Sequence, residues 1–390
     1  MKEVYIISAK RTAVGGLLGS LSHLSATQLG AIAIKDAYES AGIDPKNIDS
    51  VYMGNVLSAN LGQSPARQAA IFAGIPNKTD ATTINKVCSS GMKATAIGTQ
   101  QIQLGLENIV VTGGMESMSN TPHYVNVRRG TKAGDLNLVD GMIKDGLWDV
   151  YNNFHMGSAA ELGVTEYKLS REALDNYAIQ SYQKAQQATK EGKFKNEIIP
   201  ILVKQKNGTL IIDKDEDIDK IILEKVSKLK PVFEKNGNLT AANSSNLNDG
   251  SAALILASKE AVEKYNLKPI AKIIAYADAA QAPEKFPTSP AIAIPKALEQ
   301  ANLKLNDIDL FEINEAYASV VLSNQQILGL DLNKVNIYGG AVAIGHPIGA
   351  SGARIIATLI SALKQENKKL GTAAICNGGG GASAMIIESI

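Results

Sequence analysis

Two series of alternating strand-like and helix-like segments, one toward each end of the chain, most constrain its fold. In the first series, strand patterns alternate with helical ones, the strands at residues 4–8, 51–56 and 108–112 and the helices at 26–41, 63–73 and from 92 onward. The second series repeats this order, with strands at 270–275, 309–313, 335–337, 371–375 and 383–388 and helices at 293–301, 316–328 and 354–363. Such alternation predicts an α/β fold, and the repeated order predicts an internal duplication of one βαβαβ-type unit.

The segment between the two series has a different character. Residues 120–153 are rich in Gly, Asn, Asp and Arg, helical patterns follow at 158–167 and 171–189, and Ser170 is a plausible N-cap. Residues 198–203 and 209–212 predict a hairpin with a turn at Lys206–Gly208, and residues 214–230 predict an exposed charged segment. Because more than 100 residues are too many for a simple loop, we expect an inserted subdomain.

Composition and charge exclude several function classes. The 390 residues include 39 Lys and Arg against 38 Asp and Glu, so a net charge of +1 predicts neither a nucleic-acid nor a membrane surface. The chain passes into a strand pattern at Val4, and we expect an untargeted cytoplasmic protein, or a mitochondrial matrix protein if a presequence has been removed. Its two cysteines make no disulfide framework and fit a reducing compartment.

Cys88 follows a strand-like run that ends at Val87 and precedes a helical pattern from Met92, which predicts a strand-to-helix corner. The unpaired N–H groups and the positive dipole end of that helix would lower the cost of a thiolate. Free cysteines are also among the most buried residues. On this stretch alone a catalytic and a structural role both stay open.

Three further stretches follow predicted strands, at Asn314-Glu315-Ala316, Gly345-His346-Pro347 and Cys376. Ligand sites of open α/β sheets lie at the carboxyl ends of strands, so we expect these stretches to converge with Cys88. A lone histidine is usually structural or solvated. A cysteine nucleophile requires a base, which favours a catalytic His346.

Cys376 precedes a run of glycines at residues 378–381. Several freed N–H groups there suit an oxyanion hole. A phosphate-binding loop is the rival interpretation, but the Lys-Ser/Thr of a P-loop does not follow. Zinc binding is disfavoured because the two cysteines do not form a Cys-x-x-Cys pair.

From Val4 to Ile387 the chain resembles the thiolase family. The motifs that carry the resemblance are residues 85–91 (NKVCSSG), 113–119 (GGMESMS), 314–316 (NEA), 346–352 (HPIGASG) and 376–380 (CNGGG). The resemblance implies an α/β fold of two duplicated halves in a five-layered αβαβα core with an inserted loop domain. The implied boundaries are 1–119, completed by 247–268, for the N-terminal half, 120–246 for the loop domain that cradles CoA, and 269–390 for the C-terminal half.

The resemblance also implies roles for the residues at the predicted corners. Cys88 would be the nucleophile that becomes acylated, and His346 would take its proton and help to hold the thioester oxygen. Cys376 would move the proton at the carbon where the C–C bond forms or breaks. Asn314 would position a water in one oxyanion hole, and the N–H groups of Cys88 and Gly378 would form the other.

Further residues are assigned to ligands by the same resemblance. Those implied for CoA or the acyl group are His155, Met156, Tyr182, Lys220, Lys225, Ser245, Phe286, Ala316 and Tyr317. For Lys220 and Lys225, an ordinary solvated charge run remains an open interpretation. The likeness is strongest to the potassium-activated type, which implies a K⁺ site of Tyr182 with the carbonyls of Ala241, Ala242, Ser244 and Val342. Ser244 departs from the alanine of that type, and a carbonyl ligand would survive the change.

The implied activity is that of an acetyl-CoA C-acetyltransferase without a covalent cofactor: two acetyl-CoA molecules would condense reversibly to acetoacetyl-CoA and CoA. Phe286-Pro287 matches the pair linked to 2-methylacetoacetyl-CoA, an intermediate of isoleucine breakdown, whereas Tyr317 replaces the Phe of many relatives. The alternatives are a 3-ketoacyl-CoA thiolase of broader chain length in fatty-acid β-oxidation and a non-catalytic acyl-CoA-binding relative. The second is disfavoured by the joint presence of Cys88, His346, Asn314 and Cys376. The expected assembly is a homotetramer, a dimer of dimers tethered by the loop domain.

Overall fold

The strands of both series form one large mixed sheet in the computed structural model, which describes residues 2–205 and 208–390. The first series contains β1 Val4–Thr12, β2 Gly15–Gly16, α1 Ala26–Ser40, β3 Ser50–Gly54, α2 Pro65–Phe72, β4 Asp80–Ile84, α3 Ser90–Gln103 and β5 Ile109–Ser117. The middle segment contains β6 His123–Tyr124, β7 Val139–Asp140, β8 Trp148–Asp149, β9 Phe154–His155, α4 Met156–Glu166, α5 Arg171–Lys190, β10 Ile198–Ile199, β11 Ile201–Gln205 and β12 Gly208–Ile212. The remaining elements are β13 Asn248–Ser258, α6 Lys259–Tyr265, β14 Ala271–Ala280, α7 Pro290–Ala301, β15 Leu310–Ile313, α8 Ala318–Leu328, α9 Ala341–Ile344, α10 Ile348–Gln365, β16 Leu370–Asn377 and β17 Gly381–Ser389.

The predicted duplication is confirmed by the strand order β15-β16-β17-β14-β1-β13-β5-β3-β4. β1 and β14 meet antiparallel at the centre, with Val4 opposite Ile273, and the order outward from this seam is the same in both directions. β13 and β17 come next, followed by β5 and β16 and then by β3 and β15. In each half the pair farther from the seam is parallel, β3 with β5 and β15 with β16.

Helices lie on the outer faces of the two halves of the sheet, and two further helices lie between the halves. α3 and α10 pack together at the centre, in contact with strands of both halves. α1 and α2 cover the outer face of the first half, and α7 and α8 cover that of the second. Successive strand residues alternate between layers, so Val110 joins the central cluster and Val111 the outer one. The predicted five-layered αβαβα core is therefore confirmed.

The prediction of a strand at residues 335–337 was wrong. Only an isolated parallel bridge between Phe311 and Val335 stands where β4 lies in the first half. Asn336 has a left-handed φ of 46°, and its side chain accepts a hydrogen bond from Ile313 N and donates one to Ile313 O, both at 2.8 Å. A side chain thus makes the contacts that a strand backbone would make, and it ends the sheet there.

The middle segment corrects two further expectations. The predicted strand 198–203 is divided at Pro200, which has no N–H to donate: β10 pairs with β1, and β11 pairs antiparallel with β12. In the predicted turn, Lys206 and Asn207 lie outside the described residues. The charged segment 214–230 is not uniformly exposed, since Asp215, Asp217 and Val226 are buried. The domain boundaries given above stay a prediction.

Candidate active site

Cys88 lies in a tight corner between β4 and α3, as predicted, although β4 already ends at Ile84. Val87, directly before it, has φ of 49°, which is rare and strained for a β-branched residue. Lys86 N donates to Ser90 Oγ at 2.8 Å, and that hydroxyl donates to Val87 O at 2.5 Å. These bonds fix the half-buried thiol at the first turn of α3.

Cys88, His346 and Gly378 share the wall of one cleft of about 1150 Å³, a volume that includes the space at its open mouth. The other side chains that line it are mostly apolar and include Met118, Met142, Ile143, Leu147, Met156, Phe233, Leu247, Phe286, Tyr317 and Ile348. The cleft can therefore bury an apolar acyl chain and its thioester beside a thiol and an imidazole.

The resting thiol of Cys88 is held in its neutral form. Burial raises its pKa to about 12, although hydrogen bonds from the backbone N–H groups of Gly378 and Cys88 itself act in the opposite direction. The charge of Glu116 raises the pKa further. The helix end therefore does not by itself make Cys88 a thiolate, which agrees with the expectation that this cysteine requires a base. The same two N–H groups are donors that an oxyanion on a bound thioester can use.

His346 is the candidate for that base, because it lines the same cleft wall and has a ring nitrogen without a partner in the described part of the chain. Its backbone N–H donates to Asn248 Oδ1 at 2.9 Å, and its Nδ1 lies 2.6 Å from Ser351 Oγ. Burial, assisted by the positive charge of Arg354, lowers the pKa of His346 to about 3, so the ring is neutral at physiological pH. Its Nε2 is buried and has no hydrogen-bond partner within residues 2–205 and 208–390.

Asn314 and Cys376 are not among the residues that line this cleft; they lie at the ends of the paired strands β15 and β16. Both are 0% exposed, and Asn314 N donates to Ala374 O at 2.9 Å. Within the described part of the chain, neither amide atom of Asn314 has a hydrogen-bond partner, so both can bond to a group that the protein itself does not supply. Burial raises the pKa of Cys376 well above its usual range, and the neighbouring Cys88 raises it further. Ser89 is next to Cys88, and its Oγ contacts Ile375 O and Asn377 Oδ1, which belong to the residues on either side of Cys376.

Aromatic rings form one side of the cleft. Phe233 stacks on His155 at 5.1 Å and meets Tyr317 edge-on at 5.7 Å, and Phe286 lies 6.4 Å from Tyr317. His155 Nδ1 accepts from Gly157 N at 3.0 Å and so caps α4, which begins at Met156. Ser245 and Ala316 are joined by a backbone hydrogen bond of 3.0 Å and also line the cleft. Sequence reasoning missed Phe233, which follows the charged segment without a motif of its own.

Other predicted ligand residues lie apart from Cys88. Tyr182, Lys220, Ala241 and Ala242 line a second cleft of about 920 Å³, open to solvent, and Ala241 borders both clefts. Lys220 is held by Glu216 at 2.7 Å and Asp217 at 2.9 Å. Lys225 is exposed and lines neither cleft, judged on the residues that the structure describes.

The residues predicted to bind potassium are divided between the two clefts and the buried interior. Ser244 lines the first cleft, and Val342 is fully buried. Over the described ranges, no hydrogen bond outside regular helices and strands ends on the carbonyl oxygen of Ala241, Ala242 or Ser244. Burial, together with the charge of Asp217, raises the pKa of Tyr182 to about 12, so it offers a neutral hydroxyl. Free carbonyls and a hydroxyl suit a weakly hydrated cation.

Two searches of the described residues gave negative results. Residues 2–205 and 208–390 contain no group of three His, Cys, Asp or Glu side chains placed to hold a metal ion. The described helices include none that is long and apolar enough to cross a membrane.

Family models, related sequences and a solved structure match this chain over all or nearly all of its length. Two family models match, described as "Thiolase, N-terminal domain" over residues 4–260 and "Thiolase, C-terminal domain" over residues 267–389. The chain is similar to the cytosolic acetyl-CoA acetyltransferase of Gibberella zeae, 51% identical over 393 residues that cover 100% of this chain and 99% of that protein. The mitochondrial acetyl-CoA acetyltransferase of Bos taurus is 49% identical over 392 residues, covering 100% and 92%. The crystal structure of Acat5 thiolase from Ascaris suum in complex with coenzyme A matches with a TM-score of 0.95 and 47% identity, covering 100% of both chains.

Proposed function

Because the chain belongs to the thiolase family, we propose that it is an acetyl-CoA C-acetyltransferase, which condenses two acetyl-CoA molecules reversibly to acetoacetyl-CoA and CoA. The observation that carries the proposal is the shared cleft wall of Cys88 and His346, with Nε2 of His346 free of partners among the described residues. Relatives about half identical in sequence carry the name acetyl-CoA acetyltransferase.

In the first half reaction, His346 Nε2 takes the proton of the Cys88 thiol, and the sulfur attacks the thioester carbon of acetyl-CoA. The N–H groups of Cys88 and Gly378, which act to lower the pKa of the Cys88 thiol, hold the oxyanion that forms. The C–S bond to CoA then breaks, and the Cys376 thiol gives its proton to the leaving CoA sulfur. The products are acetyl-Cys88 and free CoA, with Cys376 as a thiolate and His346 still carrying on Nε2 the proton taken from Cys88.

In the second half reaction, Cys376 as a thiolate removes a proton from the methyl carbon of a second acetyl-CoA. His346 and a water held by Asn314 stabilise the enolate oxygen, and the unpartnered amide of Asn314 within the described chain supports this role. The carbanion attacks the carbonyl carbon of acetyl-Cys88, and acetoacetyl-CoA leaves as the C–S bond breaks. The Cys88 sulfur departs as a thiolate and takes back the proton from His346 Nε2, while the proton removed from the methyl carbon restores the thiol of Cys376.

Mass spectrometry after incubation with acetyl-CoA tests the proposal. We expect an adduct of about 42 Da on Cys88, which marks covalent acyl catalysis. Cys88→Ala should lose both the adduct and turnover. Cys376→Ser should keep the adduct but exchange the methyl protons of acetyl-CoA about 10²-fold more slowly or worse. Substantial thiolysis by Cys88→Ala would refute the nucleophile, and unchanged exchange in Cys376→Ser would refute the base.

We place the pantetheine arm of CoA along His155, Met156 and Ser245, and the nucleotide end near Lys220 and Lys225. The lining of the first cleft and the coenzyme A complex of a structural relative support the arm. Because Lys220 is already paired with two carboxylates, Lys225→Ala should raise the KM for acetyl-CoA more than Lys220→Ala. Equal KM values for the wild type, Lys225→Ala and Lys220→Ala would refute the placement of both lysines.

We further propose that K⁺ binds at Tyr182 with the carbonyls of Ala241, Ala242, Ser244 and Val342, and that Phe286 and Tyr317 shape the acyl pocket. The ion would connect the loop before β13 to α9 and so order the cleft wall at Ser244. KCl should raise activity or melting temperature relative to NaCl at equal ionic strength, and Tyr182→Phe should lose this difference. Comparing 2-methylacetoacetyl-CoA and longer 3-ketoacyl-CoA with acetoacetyl-CoA tests the acyl range.

The proposed assembly is a homotetramer. Exposed apolar residues concentrated in one stretch of the loop domain support it: Val125, Val127, Leu136, Leu138 and Val139. Sedimentation of the wild type and of a variant with charged residues at Leu136 and Leu138 tests it. For the compartment, a reducing environment suits both thiols, and the similar relatives include a cytosolic and a mitochondrial protein.

A further inference from the structure

Glu116, at the end of β5, has no part in the steps above, yet its carboxylate is fully buried and makes four hydrogen bonds. Oε1 accepts from Asn55 Nδ2 at 2.8 Å and from Leu57 N at 3.1 Å. Oε2 accepts from Val56 N at 3.1 Å and from Gly349 N at 2.9 Å. One side chain therefore joins the loop after β3 to the first turn of α10.

These partners surround the proposed nucleophile. Val56, Leu57, Met118 and Ile348 form a buried apolar cluster against which Cys88 packs. Val56 and Leu57 donate their backbone N–H groups to Glu116, and Met118 follows Glu116 by two residues. Ile348 precedes Gly349, whose N–H also donates to Glu116.

The approach of α10 to this carboxylate depends on glycine. A Cβ at Gly349 would lie 2.7 Å from Glu116 Oε2 and 2.8 Å from Met115 O, so only glycine permits the contact. His346 precedes Gly349 by three residues, and Ser351, which contacts the His346 ring, follows it by two. A shift of this helical turn would move the imidazole.

We propose that Glu116 is a positioning residue for acyl transfer: by holding the first turn of α10 against the loop after β3, it sets the separation of His346 from Cys88. The inference rests on the proposed function.

The charge of Glu116 alone would hinder the reaction. Burial raises the pKa of Glu116 to about 7 despite its backbone hydrogen bonds, and the titratable groups that face it are Cys88 and, from β13, Asp249. When ionised, Glu116 raises the pKa of Cys88 and so disfavours the thiolate. The favourable effect that we propose for Glu116 therefore acts through position and not through charge, and this distinction can be measured.

Glu116→Gln separates position from charge with two measurements, acetylation of Cys88 by acetyl-CoA and alkylation of Cys88 by iodoacetamide. The amide lacks an acceptor for one set of N–H groups, so acetylation should slow about 10–10²-fold, as for a displaced catalytic group. The pH midpoint of alkylation should move down, because a negative charge has been removed.

Glu116→Asp keeps the charge but is one methylene shorter, so acetylation should slow while the alkylation midpoint stays. As a control, Asp309→Asn weakens an acceptor of two backbone N–H groups, those of Lys369 and Leu370, and should change neither quantity.

The outcomes are distinguishable. A wild type that is not acetylated would refute the proposed function itself. An acetylated wild type with Glu116→Gln within about twofold of it would overturn only the positioning role. A parallel fall in the rate of acetylation and in the rate of alkylation by iodoacetamide in Glu116→Gln would indicate general loosening of the site and would also overturn the positioning role.

Discussion

The ring Nδ1 of His346 lies 2.6 Å from the hydroxyl oxygen of Ser351, and that hydroxyl lies 2.9 Å from Pro347 O. A serine has a single hydroxyl proton. When it is donated to the Pro347 carbonyl, the Ser351 oxygen accepts from Nδ1–H. The remaining ring nitrogen, Nε2, is then the unprotonated one, and it has no partner among the described residues. Ser351 thereby selects the tautomer in which His346 can take a proton from Cys88.

Ser351→Ala should impair this selection without removing the base. We expect acetylation of Cys88 to slow by about 10-fold or more, because the ring can then rotate or carry its proton on Nε2. Stopped-flow or rapid-quench measurement of acetyl transfer checks the rate. Ser319→Ala is the matched control, since the Ser319 hydroxyl is buried and has no partner in the described part of the protein. Equal acetylation rates in Ser351→Ala and Ser319→Ala would contradict the assigned tautomer role.

Asn314→Ala should separate activity from stability. Neither amide atom of Asn314 bonds to any described protein group, so its removal should change the free energy of unfolding by less than about 1 kcal/mol. If the amide holds a water for an oxyanion, turnover should fall by about 10²–10³.

Asn324→Ala is the opposite case. Its Nδ2 donates to Pro287 O at 2.7 Å and to Val320 O at 2.6 Å, and losing these bonds should cost about 1–3 kcal/mol with much less effect on turnover. Denaturant unfolding and steady-state assays on both variants check the contrast. A large stability loss in Asn314→Ala would show a structural role instead.

Much of the fold could be predicted because its signals are local. Periodicity within each segment indicated the strands and helices of both halves, and their common order indicated the duplication. The proposed catalytic residues were predictable from local motifs, but their positions relative to strands were only partly as predicted. Asn314 directly follows β15, whereas His346 follows the short helix α9 and Cys376 lies within β16. Local patterns do not reveal partners that are distant in sequence. Asp215 was predicted to be exposed but lies buried against Arg11, about 200 residues away, and Asn336 replaces a predicted strand with its side chain. The hydrogen bonds of Glu116 and the stacking of Phe233 on His155 are equally long-range.

Arg11 provides a test of the buried ion pairs that fasten the loop domain to β1. Its guanidinium is 0% exposed, lies 2.6 Å and 2.9 Å from the two oxygens of Asp215, and lies 2.6 Å from Glu197 Oε1. Arg11→Met would leave two buried carboxylates without their cation, so we expect a loss of about 3–5 kcal/mol in the free energy of unfolding. Adding Asp215→Asn and Glu197→Gln should restore part of it.

Denaturant titration of the Arg11 variants checks this. Lys285→Met, which breaks the half-exposed pair with Glu166, should leave the unfolding free energy nearly unchanged. A comparable loss in Lys285→Met and Arg11→Met would contradict the weight assigned to burial.

Asp278 contacts Lys86 and Lys93, which lie on either side of Cys88, and so links this corner to the second half of the sheet. We expect its ionisation to make the stability of the protein depend on pH. Its carboxylate lies 2.5 Å from Lys86 Nζ, 2.7 Å from Lys93 Nζ and 2.6 Å from Ser383 Oγ. Burial acts to raise its pKa, but these hydrogen bonds outweigh it and lower the pKa from 3.8 to about 2. Because the folded pKa lies below the unfolded one, the stabilisation is present above pH 3.8 and is lost as the pH falls toward 2. Asp278→Asn lacks the titrating group, so the difference in unfolding free energy between wild type and variant should shrink across that window. Denaturant unfolding at a series of pH values measures the difference, and a gap that stays constant from pH 5 to pH 2 would show that Asp278 does not titrate with a lowered pKa.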